Sequence, residues 1–511
     1  MVNHGASSGS HREDAESKPM KYDHEKSDLL VVALKPMNNI DKAVAELVER
    51  RGKTEGKTTE PTTHRTLSRE SVSPGLDRLR QRAKEYRNEK FTSLLHHIDV
   101  PLLTMAYDAL RHDAAVGVDG ITWREYGEGL QAKLVDLHSR VHRGAYRAQP
   151  SRRKMIPKPD GRERPLGIAS LEDKIVQRAL VEVLNAIYEA EFLGFSYGFR
   201  PGRGQHDALD ALWVGIDTKR INWILDADIR AYFDTVNHER LIQFIEERIG
   251  DRRVIRLIRK WLNAGVVENG ILSATEIGCP QGSVISPLLS NIYLHYVSDL
   301  WSHQWRQAAG RGEMIIVRYA DDQVFGFEHE ADARAFLADL TSRMAEYGLS
   351  LHPDKTRLIE FGRNAMENRK RRGLGKPETF TFLGFTHLCG LTRKGKFSLK
   401  RKSRSDRMRA KLQAIKLDLR RRINEPIPEI GRRLRQVVQG YNAYHAVPNN
   451  FDSLKCFRDN VIRLWYRLLN RRSQLGGWTW EKMERLASQW LPMPQILHPW
   501  PNARFAVKHP R

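Results

Sequence analysis

The chain has 511 residues, of which 40% are hydrophobic and 29% charged, so it is long enough for two or three folded domains. Its formal net charge of +23 attracts polyanions, and the usual polyanion for a basic protein is nucleic acid. Composition alone leaves open a structural RNA binder of the ribosomal type, or a protein kept soluble by its charge.

The cysteines argue against two classes of small domain. Cys279, Cys389 and Cys456 stand far apart without a CxxC pair, which disfavours a disulfide framework, a zinc ribbon and a zinc-bearing nuclease module. The sequence has no run of about 18 apolar residues that would span a membrane. The polar N-terminus lacks the apolar core of a secretory signal, so we expect a cytoplasmic protein.

The first half of the chain is predicted to be mainly helical. Residues 1–75 are rich in Ser, Thr, Lys and Glu and read as a flexible N-terminal extension, in which "IDKAVAELVERR" could form a short amphipathic helix. Helical spacing then dominates to about residue 145. "RKMIPKPDGRERPLGIAS" alternates as a β-hairpin does, with Asp160 and Gly161 at its turn, and a long helix, "LEDKIVQRALVEVLNAIYEAEF", is predicted next.

The central region mixes strand and helix patterns. "INWILDADI" predicts a strand, "HERLIQFIEERI" and "VIRLIRKWLNAGV" predict helices, and "SPLLSNIYLHYVSDLWSHQW" predicts a longer helix. "MIIVRYADDQVFGFE" reads as strand, turn and strand, and a further helix follows it. The expected fold class is therefore α+β, with an antiparallel hairpin that carries two adjacent acids.

The region beyond Gly390 is basic. Between Arg393 and Arg435 there are 17 Lys and Arg residues against 4 Asp and Glu, and aromatic-rich helical sequence follows. We expect a basic, mostly helical C-terminal region.

The acid pair Asp321–Asp322 has two readings. Adjacent acids at a hairpin tip are most often solvated turn residues. A second set, Asp226 and Asp228, ends an apolar strand and shares one of its faces, with Asp228 nearest the strand end. Carboxylates brought from separate strands can hold two Mg²⁺ ions for phosphoryl transfer, and such acids are costly to bury without cations. If the strand lies beside the hairpin, Asp228 and Asp321 converge, and a metal site is favoured.

A stiff loop, "GCPQGSVISP", lies between the two acid sets. Its glycines, including Gly278 and Gly282, permit close backbone approach before a helix N-terminus, while Gln281 and Ser283 present polar groups. The loop suits contact with a nucleotide or template; the alternative is an ordinary helix-capping loop.

The order of these blocks resembles that of reverse transcriptases. "YADD", "DIRAYFD" and "PQGSVISPLLSNIYL" are the core of the match, and the sequence is similar in finer detail to bacterial group II intron-encoded enzymes, which also serve as maturases. "IPKPDGRERPLGI", "DKIVQRAL", "SYGFRPGR", "GLSLHPDKT" and "FTFLGF" extend the resemblance from about residue 90 to beyond 445. It implies a right-hand polymerase fold, with fingers at 76–220, a palm with an antiparallel sheet and finger insertions at 221–390, and a basic helical thumb with the maturase X region at 391–511.

The resemblance also implies an RNA-directed DNA polymerase with two Mg²⁺ ions, for which Mn²⁺ could substitute. It makes Asp228 and Asp321 metal ligands, with Asp322 the third and least direct carboxylate. Phe233 matches the aromatic gate against ribonucleotides, although simple core packing remains the alternative. Gln281 matches a residue that contacts the incoming dNTP.

Three cations complete the site that the resemblance implies. Lys158 and Arg164 fall in the block that holds the triphosphate of the dNTP. Lys355 matches a lysine proposed as general acid to pyrophosphate, with a solvated surface lysine as the alternative. Asp226 and Asp234 match no ligand position and are expected to be structural.

The implied partners are group II intron RNA, an RNA template, a DNA primer or target DNA, and dNTPs, with the protein nucleoid-associated when it is bound to DNA. In the C-terminal region Tyr441, Tyr444, Trp465 and Tyr466 could stack on bases, or form the thumb's own core, which is the expectation for Trp465 and Tyr466.

The sequence lacks the Cys pairs and the His-rich signature of an HNH endonuclease domain, so second-strand cleavage is not expected. Two alternatives stay open: an RNA-binding splicing factor with little polymerase activity, and a domesticated reverse transcriptase in phage defence.

Overall fold

A computed structural model describes residues 63–157, 163–268, 270–273, 277–279, 281–472 and 477–508, without the side chains of residues 63–73, 157 and 164. Most of the expected N-terminal extension, including the possible amphipathic helix, lies outside the described residues. The first described helix, α1 (Thr63–Glu85), runs across the expected boundary at residue 75.

Helices surround a small sheet in the N-terminal part. They are α2 (Val100–Asp108), α3 (Trp123–Gly127), α4 (Leu130–His142), α5 (Leu171–Tyr188) and α6 (Gln205–Thr218), with a 3₁₀ turn at Leu95–His97. The predicted hairpin is confirmed, because β1 (Ser151–Pro157) and β2 (Glu163–Ile168) pair antiparallel; its turn lies outside the described residues. The strand β4 (Val266–Glu268) pairs parallel with β1 and antiparallel with β5 (Ile271–Ser273), so the sheet order is β2-β1-β4-β5.

The central sheet is antiparallel. The strands β3 (Trp223–Asp228), β6 (Met314–Tyr319), β7 (Asp322–Phe327) and β8 (Arg357–Glu360) stand in the order β6-β7-β3-β8. Continuous apolar side chains in β6 and β7 are buried, as expected for strands that helices cover. The predicted hairpin that carries the two acids is confirmed.

Helices pack around this sheet. They are α7 (Tyr232–Thr235), α8 (His238–Glu246), α9 (Arg252–Leu262), α10 (Ser286–Leu294), α11 (Leu300–Ala308), α12 (Glu330–Glu346) and α13 (Ala365–Arg371). The single long helix predicted over "SPLLSNIYLHYVSDLWSHQW" is present, but a π-helical segment, His295–Asp299, interrupts it between α10 and α11. A large hydrophobic core joins the N-terminal helices to this central part.

A third sheet precedes the C-terminal helices. The strands β9 (Phe380–Phe382), β10 (Phe385–Leu391) and β11 (Phe397–Ser403) are antiparallel, and the expected boundary at residue 390 falls inside β10. The helices α14 (Ser405–Arg421), α15 (Ile427–His445), α16 (Phe451–Asn470) and α17 (Trp480–Trp490) enclose a separate core, and α18 (Pro501–Lys508) packs on α6. The expected α+β class is confirmed, and none of the helices in the described ranges is long and apolar enough to cross a bilayer.

Candidate active site

The strands β3 and β7 bring the two acid sets together. In their antiparallel register Asp228 stands directly opposite Asp322, so both side chains point to the same face of the sheet. Asp321 lies in the turn between β6 and β7, after Ala320, whose backbone is left-handed at φ 56°. The sequence predicted that Asp228 and Asp321 would converge if β3 lay beside the hairpin. The structure shows that β3 does lie there.

Burial, and then the crowding of carboxylates, raises two pKa values at this strand end. The pKa of Asp322 is raised to about 7, first by its withdrawal from water and then by the charges of Asp321 and Asp228. Its side chain still reaches the surface, although the surrounding protein limits its hydration. Burial, followed by the charges of Asp322 and Asp228, also raises the pKa of Asp226 to about 7. These acids therefore repel one another at neutral pH.

Lys355 contacts the acid cluster directly. Its Nζ lies 3.1 Å from both carboxylate oxygens of Asp228, although half of the lysine side chain is exposed. The loop before β8 is fixed to β3 by a backbone bond in which the His352 N–H donates to the Asp228 carbonyl over 2.8 Å. The lysine thus supplies positive charge where the sheet concentrates negative charge.

The acids fit a hard divalent cation by their chemistry. Carboxylate oxygens are the ligands that Mg²⁺ prefers, and a nearby cation favours the ionised form of a carboxylate. That effect would oppose the upward pKa shifts that burial and the neighbouring carboxylates give Asp226 and Asp322. In the described residues, no group of three or more His, Cys, Asp or Glu side chains is arranged as a ready ligand set, and Asp228 is paired with Lys355.

The loop that contains Gln281 packs against the N-terminal sheet. The Gln281 carbonyl accepts a hydrogen bond from Gly167 N at 2.6 Å, and Gln177 accepts from both Ser283 Oγ at 2.7 Å and Val284 N at 3.0 Å. Gly282 has φ 102°, a conformation that favours glycine, and a Cβ there would meet the Gly167 carbonyl. The loop is therefore braced against β2 through Gly167 and against α5 through Gln177.

Phe233 is half-buried next to this loop. Its backbone carbonyl accepts from Cys279 N at 2.7 Å, and its ring stacks edge-on against Tyr232 with centroids 5.4 Å apart. Such a position is compatible with both the gate and the packing role. The structure does not describe Lys158 or the side chain of Arg164; the Arg164 backbone lies in β2, paired with Ile156.

The resemblance to reverse transcriptases assigns no role to the block "SYGFRPGR". The structure places its Ser196–Gly198 part along β6, with the Tyr197 N–H donating to the Arg318 carbonyl at 2.9 Å. A Cβ on Gly198 would lie 3.0 Å from both Ala320 Cα and Tyr319 C, and nearer still to Ala320 N. This glycine therefore lets a second segment pack directly on the turn that carries Asp321.

The aromatic residues of the C-terminal helices are engaged within the protein. Tyr441 stacks on Phe457 at 3.8 Å, and the Tyr444 hydroxyl donates to the Leu383 carbonyl at 2.7 Å. Trp465 is fully buried, and Tyr466 stacks on Trp480 at 4.1 Å between centroids. The prediction that Trp465 and Tyr466 belong to the thumb core is confirmed, and the rings of Tyr441 and Tyr444 are used for packing as well.

Comparison with known proteins then decides the family. Residues 156–387 match the family described as "Reverse transcriptase (RNA-dependent DNA polymerase)". Protein YkfC of Escherichia coli K12 is 34% identical over 296 residues, which cover 50% of this chain and 77% of YkfC. The chain belongs to the reverse transcriptase family. The right-hand polymerase fold that the sequence predicted is thereby confirmed.

Relatives of this reverse transcriptase include proteins named for introns. The group II intron-encoded protein LtrA of Lactococcus lactis subsp. cremoris is 36% identical over 222 residues, 43% of this chain and 37% of LtrA. Nuclear intron maturase 4, mitochondrial, of Arabidopsis thaliana is 28% identical over 247 residues, 47% of this chain and 29% of that protein. The reverse transcriptase thus spans well under half the length of these two relatives. The predicted likeness to group II intron-encoded proteins is confirmed.

Proposed function

We propose that this protein is the RNA-directed DNA polymerase of a group II intron, and that it also binds the intron RNA as a splicing maturase and supports retromobility. The observation that carries the polymerase role is the register of β3 and β7, which sets Asp228 opposite Asp322 with Asp321 in the adjoining turn. Family membership and the names of its relatives support the intron role.

The proposed reaction extends a DNA primer on an RNA template. The primer 3′-oxygen forms a bond to the α-phosphorus of a dNTP, the bond from that phosphorus to the bridging oxygen breaks, and pyrophosphate leaves. Asp228 and Asp321, assisted by Asp322, would hold two Mg²⁺ ions, or Mn²⁺ in their place. When bound, such ions stabilise the charge that develops on the attacking and leaving oxygens.

The remaining residues have roles in binding and proton transfer. Gln281, on its braced loop, would contact the incoming nucleotide, and Phe233 would exclude the 2′-hydroxyl of a ribonucleotide. Lys158 and Arg164 would hold the triphosphate, by resemblance alone. Lys355 would donate a proton to pyrophosphate, which is supported by its position 3.1 Å from the Asp228 carboxylate.

The C-terminal helices support the RNA-binding part of the proposal. On one side α14 and α15 bury Ile415, Leu419 and Leu434 in their own core. Several exposed cations lie on the rest of their surface: Arg409, Lys411, Arg420, Arg421, Arg432 and Arg435. Cations that cover helices in this way match the charge of an RNA backbone.

The test of the polymerase role is primer extension by purified protein with an RNA template, a DNA primer, dNTPs and Mg²⁺. The wild-type protein should extend the primer, and Asp321→Ala should abolish extension because a ligand is lost. Asp113→Ala removes an exposed acid on the loop after α2 and is the matched control, which should keep wild-type activity. Extension that survives in Asp321→Ala would overturn the mechanism.

The same variant separates the two roles. Asp321→Ala protein that still promotes splicing of the intron RNA in vitro would show that RNA binding does not depend on polymerisation. A wild-type protein that splices without extending primers would instead support the splicing-factor alternative.

A further inference from the structure

We propose that Arg318, anchored by the π-helical segment His295–Asp299, is a positioning residue that fixes the turn carrying Asp321 and Asp322. The inference rests on the proposed polymerase function, since it assigns a role in that site. It concerns the face of β6 and β7 that points away from the acids.

Arg318 is a fully buried charge with a complete set of partners. Its side chain is 1% exposed, as is that of Asp299, and its Nε and Nη2 donate to the two Asp299 oxygens at 2.7 and 2.6 Å. Nη2 also donates to Ser196 Oγ at 2.7 Å, and Nη1 donates to Asn291 Oδ1 at 2.9 Å. The guanidinium thus joins β6 to the π-helical segment, to α10 and to the segment that precedes Gly198.

One further bond reaches the turn itself. Arg318 Nη1 donates to the carbonyl of Ala320 at 3.0 Å, the residue directly before Asp321. Ala320 has φ 56°, a backbone conformation that side-chain-bearing residues rarely adopt and that the surroundings must hold. Asn291, which accepts from Arg318, also donates from Nδ2 to the Gly198 carbonyl at 2.7 Å, so the segment packed on the turn belongs to the same network.

The π-helical segment is hydrogen-bonded to both strands of the hairpin. Arg318 pairs across the hairpin with Gln323, and Ser298 Oγ donates to Gln323 Oε1 at 2.7 Å. Neighbouring residues of one segment therefore contact both strands: Ser298 contacts Gln323, directly after Asp322, and Asp299 contacts Arg318, three residues before Asp321. A π-helical turn inside a helix is rare, and such turns are frequent at functional sites.

Stability alone gives little reason for this arrangement. A buried ion pair can often be replaced by apolar side chains of similar volume with no loss of stability, whereas a single polar network can specify one conformation. Because Arg318 and Gln323 face the helices, Arg318 does not contact substrate. Its role is to hold the Ala320–Asp321 backbone where the carboxylates meet the cleft.

The test compares Arg318→Met with a matched buried pair. Arg401 and Asp210 are 1% and 2% exposed and form an ion pair of 3.1 Å between β11 and α6, and Asp210 also pairs with Arg504. Arg401→Met therefore removes a similarly buried charge that has no hydrogen bond to the turn, although Asp210 keeps one partner. In Arg318→Met we expect kcat for primer extension to fall about 10²-fold, with the Kd for primer–template in metal-free buffer unchanged within about twofold. Arg401→Met should lower the unfolding temperature without this fall in kcat.

Hydrogen exchange supplies a readout that needs neither metal nor activity. Amides of the peptide over β6 and β7 should exchange faster in Arg318→Met than in the wild type or in Arg401→Met. Ser298→Ala is a milder variant, should Arg318→Met fail to fold, and it should raise exchange on the β7 side. Arg318→Lys keeps one charge and should restore part of kcat, because one ammonium cannot satisfy all four partners.

The outcomes are distinct. The inference would be overturned if Arg318→Met and Ser298→Ala kept the wild-type kcat and the wild-type rates of hydrogen exchange. It would also be overturned if Arg401→Met lowered kcat as much as Arg318→Met does. A wild-type protein that does not extend primers at all would refute the proposed function, while the exchange experiment would still report on the hairpin.

Discussion

Replacement of Gly198 by alanine tests the close packing on the Asp321 turn. A Cβ there would lie 3.0 Å from Ala320 Cα and from Tyr319 C, where ordinary contact begins at 3.4 Å, so these backbone atoms must separate by at least 3.4 − 3.0 = 0.4 Å. Ala320 N is nearer still, which raises the displacement to roughly 1 Å, and a misplacement of that size can lower a rate about 10²-fold. Overpacking of this kind also destabilises by about 1–3 kcal/mol.

The assay is single-turnover primer extension with saturating dNTP, together with the free energy of unfolding in urea. Gly440→Ala is the control, because Gly440 lies in α15 with nothing within 4 Å of its Cβ position. That change should stabilise by about 0.5–1 kcal/mol and leave the rate unaltered. A Gly198→Ala protein with both wild-type rate and wild-type stability would refute the argument that this contact sets the position of Asp321.

Three further predictions concern the cleft. If Phe233 is the gate, Phe233→Ala should raise rNTP incorporation relative to dNTP in competition assays; a general loss of extension would indicate the packing role instead. Lys355→Ala should lower kcat by about 10²-fold or more with unchanged primer binding, measured by rapid quench, and an effect confined to dNTP affinity would argue against proton donation. The pKa of Asp226 rises from an ordinary 3.8 to about 7, so the folded state holds the carboxyl proton more tightly than the unfolded state does. The buried Asp226 carboxyl therefore opposes folding increasingly as the pH rises from about 4 to 7. Asp226→Asn should therefore gain more stability over the wild type at pH 8 than at pH 5 in metal-free urea titrations, and an equal gain at both values would contradict the shifted pKa.

Local sequence determined the elements and the acids of this protein. The spacing of apolar residues predicted β3, the β6–β7 hairpin and the long helices. Burial of one face or of both faces of an element leaves a pattern of apolar residues in its own sequence, so the pattern can be recognised without knowledge of the rest of the fold. Alternation along β3 also showed that Asp226 and Asp228 share a face. The order of the motif blocks gave the family, which the comparisons confirm.

The tertiary structure decided what depends on the approach of distant segments. That Asp228 faces Asp322, and that Lys355 reaches Asp228, follows from strand order and register, which local periodicity does not contain. The same holds for the raised pKa values, since they arise from burial and from charges brought together by the sheet. Arg318 reads in sequence as one more cation of a basic chain. Only its contacts with the π-helical segment, Asn291 and Ser196 make it the buried centre of the network behind the turn that carries Asp321 and Asp322.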